Sequence, residues 1–357
     1  MPSAPDRNHV ALLQHMRPLV RGRADATMAL ARQFAAAGER QVAVELANEA
    51  LIAAPGDGEV RALSAELLGQ TVPDWHFVIT RDHVRNQAYA DALARVVTPD
   101  SLVLEIGTGT GILAMMAARL GARVITCEAN PAIAAAARAV IRANGLSDRI
   151  TVVNKHSTDL DADADLGGRA DVLVSEIVSN DMLSECVLPA HADAAARLLK
   201  NHAHVIPARG RVRAALSHDD QKGGRELTVD SGFDLSAFNR LARAQYEIRV
   251  RDPRLTLRSA PADLFTFAFD GSQPVTDGRT EIELVSTGGE VNGISQWIAL
   301  DLDDQGLYEN RPGAGQASCW GCLFWPLAQP LVTAPGDVVR VGGYHTQERV
   351  RLWRIVE

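Results

Sequence analysis

The sequence predicts an α/β plus β chain. A doubly wound parallel-sheet domain is followed by a β-barrel domain, with an α-helical extension in front. Three observations predict it. Over 102–206 short apolar runs alternate with helical stretches, as in a parallel sheet covered on both faces. Beyond Ile206-Pro207 the pattern changes to short alternating runs punctuated by turns, which reads as a β-sandwich or barrel. Ahead of both, residues 24–68 carry helical spacing broken by a glycine turn and a Pro-Gly stop. The expected boundaries are 1–72 for the extension, 73–207 for the parallel-sheet domain and 208–357 for the barrel.

In order, residues 1–22 are polar and basic and read as a loose lead-in. The stretch 35–57 reads helix, Gly38 turn, helix, then Pro55-Gly56, and resembles about one and a half tetratricopeptide repeats. It suits either a helical hairpin capping the next domain or a docking surface. Residues 71–74 form a linker, and 75–97 read as a helical approach. Strands are expected near 102–106, 123–127, 149–154, 171–175 and 203–206. Helices are expected near 111–120, 131–144 and 183–199. In the barrel the runs are 210–216, 263–269, 280–285, 296–302, 320–325, 338–342 and 349–355. A helical excursion near 233–245 reads as an exposed arm.

Composition bounds the function. The 357 residues carry 36 Lys and Arg against 44 Asp and Glu, a net charge of −8, which argues against nonspecific nucleic-acid binding. Four cysteines are too sparse for a disulfide scaffold, and no apolar run approaches the roughly eighteen residues of a membrane span. The first thirty residues are broken by charges and lack the apolar core of a signal peptide. A cytoplasmic protein without nucleic-acid or membrane partners is the expectation. Cys319-Trp320-Gly321-Cys322 is formally C-x-x-C, but strand-like sequence follows it. On a strand, residues three apart point to opposite faces, so no metal site is expected.

The most informative stretch is VLEIGTGTG at 103–111. Val103, Leu104 and Ile106 suit a buried strand, and Gly107, Gly109 and Gly111 let the backbone turn and approach a ligand. A dinucleotide fingerprint would read G-x-G-x-x-G; here the spacing is G-x-G-x-G, and Glu105 precedes the hinge. A carboxylate there repels a pyrophosphate and suits a ligand that is cationic at that end. S-adenosylmethionine carries an ammonium and a sulfonium. Glu128, closing the second strand, stands where a ribose diol would lie.

After the fourth strand comes SEIVSNDMLSE at 175–185, with Glu176, Asp181 and Glu185 and no basic residue. Two carboxylates from one loop can pair with the planar fork of a guanidinium. With this loop the chain resembles the protein arginine methyltransferases. VLEIGTGTGILAMMA, VNKHSTDL at 153–160, the SEIVSNDMLSE loop and SQWIALDLDDQG in the barrel are closest to a bacterial member of the monomethylating (type III) subgroup. The resemblance covers about 75–357 and leaves the N-terminal helices outside.

The resemblance implies the following roles. Arg85 holds the methionine carboxylate of S-adenosylmethionine. Glu105, Gly107, Gly109, Gly111, Glu128, Ser157 and Thr158 form the rest of the cofactor site. Glu176 and Glu185 are catalytic and hold the substrate guanidinium, with Trp320 beside them. The substrate is arginine in a protein or peptide, with free arginine as the alternative, and the arm near 233–245 implies a homodimer. One departure stands out: the family's Thr-His-Trp loop is here Ser318-Cys319-Trp320. Cysteine does not relay charged protons as histidine does, which opens the degree of methylation.

Overall fold

The structure, a computed structural model, describes residues 7–69, 72–220, 227–313, 315 and 317–356. Four helices open it: α1 (Arg7–Val20), α2 (Ala24–Ala36), α3 (Arg40–Ala53) and α4 (Gly58–Gly69). They enclose a core of their own, in which Met28, Phe34 and Leu46 fill the space that Ala31, Ala47 and Ala50 leave between close helices. Gly38, at φ +83°, makes the turn between α2 and α3. Then come the short α5 (Trp75–Ile79) and α6 (His83–Val96).

The parallel sheet contains β1 (Leu102–Ile106), β2 (Arg123–Cys127), β3 (Ile150–Val153), β4 (Ala170–Ser175) and β5 (Leu199–Ile206), in spatial order β3-β2-β1-β4-β5. All four ladders are parallel. The helices α7 (Ile112–Arg119), α8 (Pro131–Ala143) and α9 (Val187–Arg197) connect them. Strand order reverses between β1 and β4, and such a switch point opens a crevice at the carboxyl ends of the strands. Both strands are buried because apolar residues fill successive positions: Val103 and Leu104 on β1, and Val172, Leu173 and Val174 on β4.

The antiparallel domain holds β6 (Arg209–Asp219), a small hairpin of β7 (Val229–Asp230) and β8 (Phe233–Asp234), then β9 (Tyr246–Ile248), β10 (Leu255–Leu257) and β11 (Ala262–Ala268). Its long members are β12 (Gly278–Asp301) and β14 (Cys322–His345), with β13 (Leu307–Glu309) and β15 (Val350–Arg354) alongside. The hydrogen-bonded path runs β10-β6-β12-β14-β15. Among the described residues no ladder joins its ends into the closed barrel that the sequence pattern suggested. The runs expected at 280–285 and 296–302 are one strand, and so are 320–325 and 338–342. The β12–β14 ladder continues through register shifts between Val285 and Thr287 and between Val291 and Gly293. One apolar core is shared by both sheets: Leu104, Val174 and Met182 belong to the same cluster as Phe269, Ile298 and Trp325. The expected helical arm is the β7–β8 hairpin followed by a 3-10 helix, Ser236–Leu241.

Candidate active site

At the end of β1 three glycines adopt positive φ: Gly107 at +83°, Gly109 at +52° and Gly111 at +81°. A Cβ on Gly107 would lie 2.8 Å from the Ile177 side chain, so the hinge and the loop after β4 touch because nothing stands between them. A cavity of about 240 Å³ opens over the hinge, with Arg85, Glu105, Gly107, Gly109, Glu128, Glu176 and Glu185 in its walls. Gly111 is not among them. It is the N-cap of α7, and a Cβ there would meet Ile141 of α8 at 3.3 Å.

Glu105 is buried beneath the hinge, accepting from Ala114 N at 3.2 Å and from the Thr126 hydroxyl at 2.5 Å. Burial pushes its carboxyl up to about 8. Glu128 accepts from Gly109 N at 3.2 Å and Asn130 N at 2.9 Å, tying the hinge to the end of β2. Burial raises its pKa too. An adjoining cavity of about 260 Å³ is lined by Ser157 and Thr158, and it shares Gly107, Glu128 and Glu185 with the first. The two cavities together bring all the expected side chains to one place except Gly111 and Trp320.

Arg85 sits on α6, its side chain 3% exposed, and makes a 2.5 Å ion pair with Glu176. Its other nitrogens donate to Asn86 Oδ1 at 3.1 and 2.8 Å, and the guanidinium stands 5.8 Å from the Tyr89 ring centroid. Asp82 caps α6 by accepting from Arg85 N at 2.9 Å. Its second oxygen accepts from Tyr308 Oη at 2.7 Å and Cys319 N at 2.9 Å. Burial works against the charged Asp82, but these hydrogen bonds outweigh it and hold its pKa low. Asp82 thus joins α6 to the antiparallel domain.

Glu176 lies deeper in the cavity wall than Glu185. Burial pushes it up to about 8, and the Arg85 charge pulls the other way. Only Oε2 is engaged by Arg85; Oε1 is buried with no hydrogen-bond partner. Glu185 stands at the mouth, exposed to solvent. The protein crowded about its carboxylate, and then the charge of Asp181, push it up to about 7. Solvent at the mouth screens part of that effect, so Glu176 is the more firmly raised of the two. Asp181, the loop's third acid, does not reach the cavity. It folds the loop, accepting from Leu183 N, Ser184 N and two serine hydroxyls.

Trp320 is buried and lines neither cavity; its indole N–H donates to Val178 O at 2.9 Å and so clamps the acidic loop to the antiparallel domain. Asn180 adds a second clamp, accepting from Gly321 N at 3.0 Å. Cys319 and Cys322 are free thiols, both pushed up by burial, so neither is a thiolate. No cluster of three metal-ligating side chains occurs among the described residues. Sequence reasoning missed Trp75, His76 and Ile79 of α5 and its C-cap Thr80, which wall the first cavity. The available signal was WHFVI beside a linker, an apolar segment too short to be a core helix.

The residues fit a cofactor with an ammonium, a carboxylate and a sulfonium. Glu105 and Glu128 would hold its cationic end and ribose, Arg85 offers the one cation in the first cavity's wall, and Gly109 of the hinge leaves open space where a Cβ would stand. Comparisons with known proteins agree. The family model described as ribosomal protein L11 methyltransferase matches residues 80–207. An arginine N(omega)-methyltransferase of Streptomyces achromogenes subsp. streptozoticus is 38% identical over 281 residues, covering 77% of each chain. Protein arginine N-methyltransferase 7 of Drosophila grimshawi is 31% identical over 67% of this chain, which spans 36% of that relative's length. Among solved structures, the Trypanosoma brucei PRMT1 enzyme-prozyme heterotetrameric complex with AdoHcy superposes with a TM-score of 0.68 at 22% identity, over 76% of this chain and 88% of that one. Arabidopsis thaliana protein arginine methyltransferase 10 gives 0.62 at 18% identity, over 78% and 94%.

Proposed function

The chain belongs to the arginine N-methyltransferase family, and on that footing we propose how its acidic loop works and which arginine it takes. It methylates arginine with S-adenosylmethionine as donor. When bound, that cofactor supplies an electrophilic methyl group on a sulfonium sulfur. Everything else falls to the chain's own residues. The observation that carries the reading is Glu176 Oε1, a buried carboxylate oxygen without a partner, in one cavity with Glu185 and the glycine hinge.

A guanidinium arrives charged, since its pKa exceeds about 12. Glu176 Oε1 and Glu185 accept its N–H groups and orient it. They also draw the positive charge toward the nitrogens they hold, leaving the third richer in electrons. Arg85, on Glu176 Oε2, keeps that carboxylate from turning. After transfer the nitrogen carries a surplus proton. Glu185, at the solvent side and raised to about 7, takes it and passes it to water. Cys319, where the family has histidine, stays a neutral thiol and plays no part in that transfer.

Both acids must be ionised to hold a cation, and each is protonated below its pKa. With Glu185 at about 7 and Glu176 at about 8, kcat/KM is expected to rise with pH through that window and level above it. A pH-rate profile of kcat/KM checks this; a profile flat from about pH 6 to 9 contradicts it.

The sequence put arginine in a protein or peptide first and free arginine second. We favour free arginine: the relative that matches 77% of both chains is named for arginine alone, whereas those named for protein arginine match over about a third of their length. The protein-bound reading is supported by α1–α4, a unit with its own core that resembles a docking module. A single methyl per arginine is proposed from the likeness to the monomethylating subgroup. Labelled cofactor offered to free arginine, an Arg-Gly-rich peptide and a lysate separates the readings, and hydrolysis of the product counts the methyls. Label confined to protein would overturn the free-arginine reading.

A homodimer is proposed from two exposed apolar surfaces, Phe233, Phe238 and Leu241 on the arm and Trp75, Phe77 and Val78 on α5. Light scattering is expected to show a dimer for the parent and a monomer for Leu241→Asp. A parent that is already monomeric removes the proposal. No described helix is long and apolar enough to cross a membrane.

A further inference from the structure

His191 is buried on α9, and the chemistry above makes no use of it. Its Nδ1 lies 2.9 Å from Phe269 O and its Nε2 2.6 Å from Ser175 Oγ. A carbonyl only accepts, so Nδ1 carries the hydrogen. Burial lowers the ring's pKa to about 4, so the imidazole is neutral and Nε2 accepts from the serine hydroxyl. Ser175 is the last residue of β4, directly before Glu176, and its carbonyl accepts from Tyr89 Oη at 3.0 Å. Phe269 in turn donates its N–H to Ala208 O at 3.0 Å, and a Cβ on Gly271 would lie 2.6 Å from Ala195 of α9. The end of β4, α9 and the antiparallel domain therefore meet at a two-bond bridge through one imidazole, and α6 reaches the same strand end through Tyr89.

We propose that His191 is a positioning residue for the acid pair: through Ser175 it fixes where the strand end bearing Glu176 stands against the helix that starts just past Glu185. The proposal rests on the double-glutamate reading. Two carboxylates gripping one planar cation tolerate little error in their separation. A misplacement of about 1 Å can cost on the order of a hundredfold in rate. Helix α9 begins at Val187, and its N-cap, Cys186, is at φ +59°. Glu185 thus enters the helix through a tight turn, so a shift of α9 moves it directly. Ser175 and Glu176 are neighbours, so a shift of the strand end moves the other acid.

The test uses Ser175→Ala, His191→Phe, their double variant and His191→Gln, whose amide oxygen can take the place of Nε2. Ser175→Ala and His191→Phe are each expected to lower kcat by roughly tenfold or more, with cofactor Kd unchanged. The double variant should be no slower than the worse single one, because both remove the same bond. His191→Gln should recover most of the rate. Melting temperatures run alongside separate this from simple core filling. Parental kcat in Ser175→Ala and His191→Phe at a lowered melting temperature overturns the proposal, and so do fully additive losses. A parent protein inactive on every guanidine offered overturns the reading beneath it instead.

Discussion

Glu185→Gln is expected to lower kcat for arginine methylation by ~10²–10³-fold, the loss typical when one oriented charge-stabilising group is removed. Glutamine fills the same space and still accepts a hydrogen bond, but it brings no charge and takes no proton. The loop itself does not depend on Glu185. Asp181 folds it from within, and the Trp320 and Asn180 bonds tie it down from outside. Cofactor affinity should therefore be unchanged by calorimetry, while single-turnover rates collapse. The pH profile adds a second readout. The rise that begins near 7 belongs to Glu185 and should be lost, leaving a single step from Glu176, displaced downward because the Glu185 charge no longer raises it. A variant that turns over at the parental rate would take proton removal and charge steering away from this residue.

The parts of this site that were legible are those where one local rule dominates. Residues 102–106 and 123–127 read as strands because apolar runs between turn signals have few other homes, and β1 and β2 occupy those bounds. The glycine hinge was legible because positive φ at three alternate positions suits glycine above all. Fewer clues announced the partner of Glu176. Arg85 stands 91 residues earlier in the chain, and only the folded sheet brings α6 over the end of β4. Trp320, which the resemblance set beside the substrate, spends its N–H on Val178 O and lines neither cavity, a contact that only the folded chain shows. In the antiparallel domain the pattern of short runs punctuated by turns hides two long strands. Gly288 and Gly289, at φ +93° and +97°, and Pro326, Pro330 and Pro335 all lie inside the two 24-residue strands. A ladder with bulges absorbs residues that would end a regular one. Asp82 shows the same limit, since its N-cap role follows from local spacing but its bonds to Tyr308 and Cys319 cross more than 200 residues.

Glu176→Gln is expected to abolish methylation as well, but to differ from Glu185→Gln in stability. The Arg85 side chain is 3% exposed and Glu176 is its one ion-pair partner among the described residues. Above about pH 8, where Glu176 is ionised, removing one member of the buried pair leaves a charge with no counter-charge, which costs about 3–5 kcal/mol. Two hydrogen bonds to Asn86 Oδ1 remain and bring the loss toward the lower figure. Relief of the buried carboxylate opposes it too, because burial already pushes Glu176 up to about 8. The uncompensated guanidinium outweighs both, since arginine cannot escape its charge by releasing a proton. The consequence for ligand binding has the opposite sign. In the parent protein a cofactor carboxylate held by Arg85, as we propose, would share it with Glu176, whereas in the variant it would supply the missing counter-charge. S-adenosylhomocysteine should therefore raise the melting temperature of Glu176→Gln by more than it raises that of the parent, because a ligand that binds the folded state more tightly stabilises it more. Equal shifts in the two proteins would mean that Arg85 does not hold the carboxylate. A variant as stable as the parent without ligand would mean that the pair seen at 2.5 Å contributes nothing to the fold.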